Sequence, residues 1–136
     1  MKFIAGVFAV AALLAACSDP LKPTTDSVVG DYSLQTLTTA TDSGGTVNWV
    51  TAGATCTMSL AANGTTTGHL FLPGADTGGA DFNADMAGTW MLSGDTIQFD
   101  QTADSFVRDM PFLAGENRLT GDHTFGGVRV RLVLTK

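Results

Sequence analysis

Apolar and polar residues alternate with a period of two along most of the chain after Val28. The clearest run is Val128–Leu134, in which every second residue is a valine or a leucine. Such alternation is typical of a strand with one buried and one solvated face. It predicts strands at residues 30–37, 46–51, 56–61, 65–72, 86–92, 96–100, 105–112, 118–122 and 128–134. No segment shows the 3.6-residue period of a helix.

Turn-forming residues separate these predicted strands. The chain has 16 glycines and 4 prolines. Asn63-Gly64 predicts a hairpin of type I′, in which both central residues need positive φ. Gly74–Asp85 is predicted as a long acidic loop. The pattern therefore predicts an all-β fold, a small antiparallel up-and-down β-barrel of about eight strands.

The first residues have a different character. Met1-Lys2 is followed by Phe3–Leu14, twelve residues without a charged or polar side chain. That length fits the apolar region of a signal peptide and is too short to span a bilayer. Leu14-Ala15-Ala16-Cys17 then resembles the lipobox of bacterial lipoproteins. The resemblance implies cleavage before Cys17 and attachment of lipid to its thiol and new amine, with fatty acids such as palmitate as the acyl groups.

Three segments follow from this interpretation: a lipoprotein signal peptide at 1–16, a lipidated tether at 17–27 and a barrel domain at 28–136. The tether contains two prolines and no apolar period, which favours extended backbone. Ser18 resembles the residue that follows the acylated cysteine in outer-membrane lipoproteins. We therefore expect a lipid-anchored protein of the cell envelope, at the outer membrane. Both the periplasmic and the surface side of that membrane remain compatible with the sequence.

Four pieces of the chain resemble bacterial lipocalin-like lipoprotein domains. They are Val29–Leu34, Leu60–Thr65, Gly88–Ile97 and the alternating final strand. Lipocalins proper have Gly-x-Trp in the first strand, whereas Gly88-Thr89-Trp90 comes late in this chain. The chain is also similar to small periplasmic protease-inhibitor barrels, which usually contain a disulfide. Once Cys17 is acylated, Cys56 has no intramolecular partner. We expect it to be a small buried side chain, and a redox or dimerisation site is the alternative.

Charge limits the classes of partner. The formal net charge is −6, and no lysine or arginine occurs between Lys22 and Arg108. An acidic surface repels phosphate backbones, so we expect no nucleic-acid partner. It also repels an anionic leaflet, which leaves the lipid as the expected membrane contact.

The sequence contains no recognisable catalytic or metal-binding pattern. His69 and His123 lack partners at zinc or triad spacing, and no Gly-x-Ser-x-Gly elbow is present. The Gly74–Asp85 loop could offer oxygens to calcium, but its spacing does not match an EF-hand, and a solvated acidic loop is the simpler interpretation. We therefore expect a protein without enzymatic activity, cofactor or metal.

Two functions remain open. In the first, the barrel binds a small apolar or amphiphilic ligand such as a fatty acid, in a cavity with an aromatic wall and one inward cation. The candidate cavity residues are Tyr32, Trp49, Trp90, Phe99, Phe106, Arg108 and Phe112. Strand parity places Arg108 inward, while a position at the barrel mouth, or a register shift that exposes it, is an equal alternative. In the second, the barrel is filled, and the protein acts through its surface as an envelope interaction, structural or inhibitor-like protein with an unidentified partner.

Overall fold

The computed structural model describes residues 22–136. The predicted signal peptide, Cys17 and Ser18 lie outside the described residues. The described chain forms one short α-helix, one 3₁₀ helix at Thr77–Gly79 and ten strands, joined by turns and loops. Their bounds are α1 Thr25–Val28, β1 Gly30–Thr41, β2 Thr46–Asn48, β3 Thr55–Leu60, β4 Thr65–Leu72, β5 Phe82–Asp85, β6 Gly88–Ser93, β7 Thr96–Gln101, β8 Phe112–Gly115, β9 Arg118–Phe125 and β10 Val128–Thr135.

Eight of these strands form a closed antiparallel barrel. The sheet runs β10-β9-β8-β7-β6-β4-β3-β1, and pairing of β1 with β10 closes it. The closing ladder extends from Ser33 opposite Thr135 to Thr41 opposite Val128. Two extra strands join the sheet: β2 pairs with β1, and β5 pairs with β4. The predicted all-β fold with about eight barrel strands is confirmed.

The two ends of the barrel are built differently. The helix end carries α1, the β3–β4 hairpin and the turns that join β6 to β7 and β8 to β9. The cap end carries the β1–β2 and β4–β5 connections, the β9–β10 turn and residues 102–111, here called the cap segment. The cap segment joins β7 to β8. In this region of the described chain β5 pairs only with β4, and the last residues of β9 pair only with β10.

Inward side chains from all the barrel strands form one hydrophobic core. Alternation along each strand places these residues inside, as it does for Val130, Leu132 and Leu134 in β10. Val28 from α1 is fully buried, as is Val107 from the cap segment. Each end of the barrel therefore contributes side chains to the same core.

Two secondary-structure predictions on the second half of the chain are wrong. Residues 105–112 do not form a strand, because consecutive turns link Arg108 N to Ser105 O and Asp109 N to Phe106 O. Pro111, which has no N–H, immediately precedes the short strand β8. The predicted loop at 74–85 ends in a strand, β5, whose residues Phe82–Asp85 pair with β4.

The tether prediction also needs a correction, since it expected extended backbone up to residue 27. Residues 25–28 form α1, and Thr24 caps it: the Thr24 hydroxyl accepts from Ser27 N, and the Ser27 hydroxyl accepts from Thr24 N. A reciprocal capping box of this kind fixes a helix start without any apolar period. The tether prediction considered the two prolines and missed this pair.

The hairpin predicted at Asn63-Gly64 is present, with a different turn. Gly64 has φ of +89°, whereas Asn63 does not adopt positive φ. Ala61 N donates to Thr65 O and Gly64 N donates to Ala61 O, which is the three-residue loop that ends in a positive-φ glycine. The Asn63 side chain accepts from Thr65 N at 3.0 Å, so it stabilises the turn from outside.

Candidate functional site

Four of the seven residues predicted to line a cavity are core residues. Tyr32, Trp90, Phe99 and Phe112 are buried. Phe99 and Phe112 pack edge to face, with ring centroids 5.5 Å apart. The polar groups of the tyrosine and the tryptophan both have hydrogen-bond partners: the Tyr32 hydroxyl donates to Val28 O at 2.8 Å, and Trp90 Nε1 donates to Ala61 O at 2.9 Å. All four side chains belong to the single hydrophobic core, and the hydrogen bonds of Tyr32 and Trp90 tie it to the helix end.

The other three residues lie elsewhere. Trp49 follows β2, is half-buried, and donates from Nε1 to Thr39 Oγ1 at 3.0 Å. Phe106 lies in the cap segment and is partly buried. Arg108 was expected to point inward, but it lies on the surface of the cap segment with a side chain that is 32 % exposed. The structure therefore does not bring the seven residues together around one space.

Arg108 stays at the surface because two carboxylates bind it there. Its Nη2 donates to Asp104 Oδ1 at 2.9 Å, and its Nε donates to Asp109 Oδ1 at 3.0 Å. The hydrogen bond and charge of Asp109 raise the pKa of Arg108, and the same hydrogen bond lowers the pKa of Asp109. The turn brings Asp104 and Arg108, four residues apart, within hydrogen-bonding distance. In a strand the same two residues would share a face but would be separated by about 13 Å along it.

Two buried polar groups near the cap end have no hydrogen-bond partner among the described residues. They are Gln101 Oε1 and Ser105 Oγ, in residues that are 3 % and 5 % exposed. Gln101 Nε2 reaches only the sulfur of Met58, at 3.7 Å. Leaving a buried polar atom unpaired costs free energy, so each such atom in a folded protein is a candidate for a ligand or ordered water.

A surface depression at the cap end is lined in part by Ser105, the residue that carries one of these groups. Its volume is about 360 Å³, within the usual range for small-molecule sites. Its lining combines an apolar floor with a polar rim: Leu72, Ala75, Phe82, Phe106 and Phe125, with Asp104, Ser105 and Asp109. We call this feature the cap-end depression. It gathers residues from β4, β5, β9 and the cap segment, which are distant in sequence.

Sequence reasoning identified only one of the residues that line this depression. Phe106 was a candidate, but it was placed in a barrel interior. Phe82 was assigned to a loop, and Phe125 was left in a turn. Neither lies in an alternating run that predicts a shared face. A signal did exist: Phe82, Phe106 and Phe125 are aromatic residues in glycine- and aspartate-rich connections, where an apolar side chain needs an explanation.

His69 forms the second polar arrangement of note, on the outer face of β4. Its Nδ1 lies 2.7 Å from Asp85 Oδ1, and its Nε2 lies 3.1 Å from Asn83 Oδ1. The hydrogen bond to Asp85, with a smaller contribution from Asn83, raises the pKa of His69. Two acceptor oxygens suit the doubly protonated ring. Since both ring nitrogens are engaged, neither is left to activate a nucleophile.

The acidic loop directs its carboxylates to separate partners. Asp76 Oδ1 accepts from Thr77 N, Asp81 Oδ1 accepts from Gly74 N, and Asp85 binds His69. Among the described residues, no three His, Cys, Asp or Glu side chains are grouped as a metal site would require. In residues 22–136, no helix has the length and apolar character needed to cross a bilayer.

Comparisons of this chain with protein-family models, with curated proteins and with solved structures find no significant match. The barrel and the geometry of its surface are therefore the basis for a functional assignment, together with the sequence of the first residues.

Proposed function

We propose that this chain is a lipid-anchored protein of the bacterial cell envelope, and that its lipocalin-like barrel is a non-catalytic binding domain. The ligand is a small apolar or amphiphilic molecule, and it binds at the cap-end depression rather than inside the barrel. The anchor rests on Leu14-Ala15-Ala16-Cys17, and the predicted place is the outer membrane.

The observation that carries the binding proposal is the composition of the depression. Phe82, Phe106 and Phe125 are only partly buried, although each could bury more apolar area. Burial of apolar surface is worth about 25 cal/mol per Å², so a ligand that covers these rings gains free energy. Ser105, with its unpartnered hydroxyl, lies in the same lining. An apolar wall with one placed polar group is the usual composition of a small-molecule site.

The test is titration of the full chain with N-phenyl-1-naphthylamine, an uncharged fluorescent probe of apolar sites. We expect saturable binding in the micromolar range and a loss of about tenfold in affinity for Phe106→Ala, because part of the apolar wall is removed. Met91→Ala is the matched control, since Met91 is 66 % exposed on β6 and does not line the depression. Absence of saturable binding, or equal loss in both variants, contradicts the proposal.

A second function is favoured by a specific observation, the close packing of the barrel interior at Gly121, where an added Cβ would come within 2.6 Å of Met110 Cε. Twelve large side chains are essentially inaccessible to solvent, including Tyr32, Phe112 and Leu132. A filled barrel suits an envelope interaction, structural or inhibitor-like protein that works through its surface. Failure of the probe to bind would leave this function as the better one.

The anchor has its own test in the native host. We expect the mature protein to begin at Cys17, to incorporate labelled palmitate and to fractionate with membranes. Cys17→Ala should abolish the label and release or misprocess the chain, because one or more acyl chains supply the membrane affinity. An intact mass that shows an unmodified N-terminus contradicts the anchor and leaves the binding proposal untouched.

A further inference from the structure

We propose that the cap-end depression selects a cationic amphiphile: an apolar chain or ring system that carries an ammonium group. This inference rests on the proposed binding function and adds the charge of the ligand. It reverses the expectation of a fatty-acid-like ligand, which depended on Arg108 as a free inward cation.

The rim of the depression has an excess of negative charge. Asp104 and Asp109 both line it, and within residues 22–136 Arg108 is the only cation that they contact. One guanidinium cannot neutralise two carboxylates, and Asp104 remains 91 % exposed while it contacts Arg108. Asp76 and Asp81 lie in the connection that also contributes Ala75 and leads into Phe82. A ligand carboxylate would therefore meet like charges, whereas an ammonium would meet opposite ones.

Ser105 supplies the second observation, which is independent of the carboxylates. Its hydroxyl is buried and has no partner among the described residues, yet the residue lines the depression. A hydroxyl oxygen accepts a hydrogen bond from an ammonium N–H. A ligand ammonium beside Asp104 and Asp109 would satisfy this oxygen, while the apolar part of the ligand covers the aromatic floor. Charge and hydrogen bonding thus favour the same class of head group.

The experiment compares ligands with the same twelve-carbon tail on the full chain, by displacement of the uncharged probe at low ionic strength. Dodecylammonium should bind at least about tenfold more tightly than dodecanoate, because opposite charge replaces like charge at the rim. The preference should shrink at high salt, since the rim is exposed and screening is effective there. Equal or tighter binding of dodecanoate overturns the inference, even though probe binding then still supports the proposed function.

Two variants test the assigned groups. Asp104→Asn combined with Asp109→Asn leaves Arg108 without its carboxylate partners, so the preference should turn towards dodecanoate. Asp95→Asn, in the turn between β6 and β7 at the helix end, should leave the preference unchanged. An unchanged preference in the double variant contradicts the inference.

The role of Ser105 is tested by a ligand that has the same charge and no N–H donor. Ser105→Ala should weaken dodecylammonium by about tenfold or more, as expected for a charge-assisted hydrogen bond. It should not affect dodecyltrimethylammonium. Equal loss for both ligands contradicts the hydrogen bond. If neither the uncharged probe nor any of these ligands binds, the proposed function itself is wrong, and the inference fails with it.

Discussion

Gly121 lies on the inner face of β9, where two large side chains fill the barrel. A Cβ atom at this position would come within 2.6 Å of Met110 Cε and 2.9 Å of Phe112 Cε1. Met110 belongs to the cap segment and Phe112 opens β8, so the cap and the barrel wall meet here. The sequence shows only a glycine within a short strand, and its packing role follows from the two side chains that cover it.

We expect Gly121→Ala to lower the free energy of unfolding by about 1–3 kcal/mol, because a well-packed core resists an added methyl group. Urea unfolding measures the change. Gly115→Ala is the control, since a Cβ at Gly115 would meet only Arg118 O, at 3.8 Å. If the two variants are equally stable, the barrel has free space near Gly121, and an interior ligand site regains support.

Cys56 was expected to be a shielded thiol, and the structure confirms its burial. Burial raises the pKa of the Cys56 thiol to about 12, because desolvation disfavours the thiolate. We expect thiol reagents to label native protein slowly from pH 7 to 9 and to label it rapidly in urea. The thiol has a pKa of about 9 in the unfolded chain and about 12 in the folded protein. Its contribution to the free energy of unfolding is therefore complete below about pH 9 and is lost as pH rises from about 9 towards 12. Fast labelling of the native protein would contradict this.

At the scale of elements, the strands were predictable and the connections were not. Runs such as Val128–Leu134 determine their own faces, because alternation and burial coincide. Residues 105–112 also alternate, yet Asp104 and Asp109 hold Arg108 in water through turn geometry. Whether residues 105–112 form a strand or a series of turns therefore depends on ion pairs, which the alternation of apolar and polar residues does not reveal. The cap-end depression escaped prediction for the same reason, since its residues come from connections and strand ends.

The helix end depends on a contact between the two ends of the described chain. Lys136 Nζ donates to Ser27 O at 2.7 Å and to Val29 O at 2.8 Å, and it lies 5.5 Å from the centre of the Tyr32 ring. These bonds satisfy carbonyl groups at the end of α1, where a helix leaves its last carbonyls without partners. Val28 is thereby held in the core.

We expect Lys136→Met to loosen α1 without unfolding the barrel. Amide hydrogen exchange at Val28 and Val29, which donate to Thr24 O and Thr25 O, should accelerate by roughly fivefold or more, since each lost hydrogen bond contributes about 1 kcal/mol. Arg118→Met provides a matched control, because Arg118 is an exposed cation at the same end. Unchanged exchange at Val28 would show that α1 is held by packing alone.

At the scale of the whole molecule, charge is distributed unevenly between the two ends. The connections at the cap end carry Asp42, Asp76, Asp81, Asp104 and Asp109, with Arg108 as their cation. Lys22, Arg118 and Lys136 lie at the helix end, together with Asp26, Asp31, Asp95 and Glu116, so this end is less acidic than the cap end. An anionic leaflet attracts basic residues by about 1 kcal/mol each and repels acidic ones. The helix end is thus the more favourable one to face a membrane.

The proposed lipid anchor would also turn the helix end towards the membrane. Five residues lead from Cys17 to Lys22, and five residues extend by at most about 18 Å. Lys22 lies beside α1, so a lipid on Cys17 would keep the helix end near the headgroups. The cap-end depression would then face away from the membrane that holds the protein, open to ligands from the aqueous side.

The two tryptophans allow this orientation to be measured, because they lie towards opposite ends. Trp90 contacts the β3–β4 hairpin at the helix end, and Trp49 bonds to Thr39 near the cap end. In vesicles with dansyl-labelled headgroups, energy transfer from Trp90 alone, in Trp49→Phe, should exceed transfer from Trp49 alone, in Trp90→Phe. Cys17→Ala should remove transfer from both, since the acyl chains supply the membrane affinity. Stronger transfer from Trp49 would place the cap end at the membrane and contradict the proposed orientation.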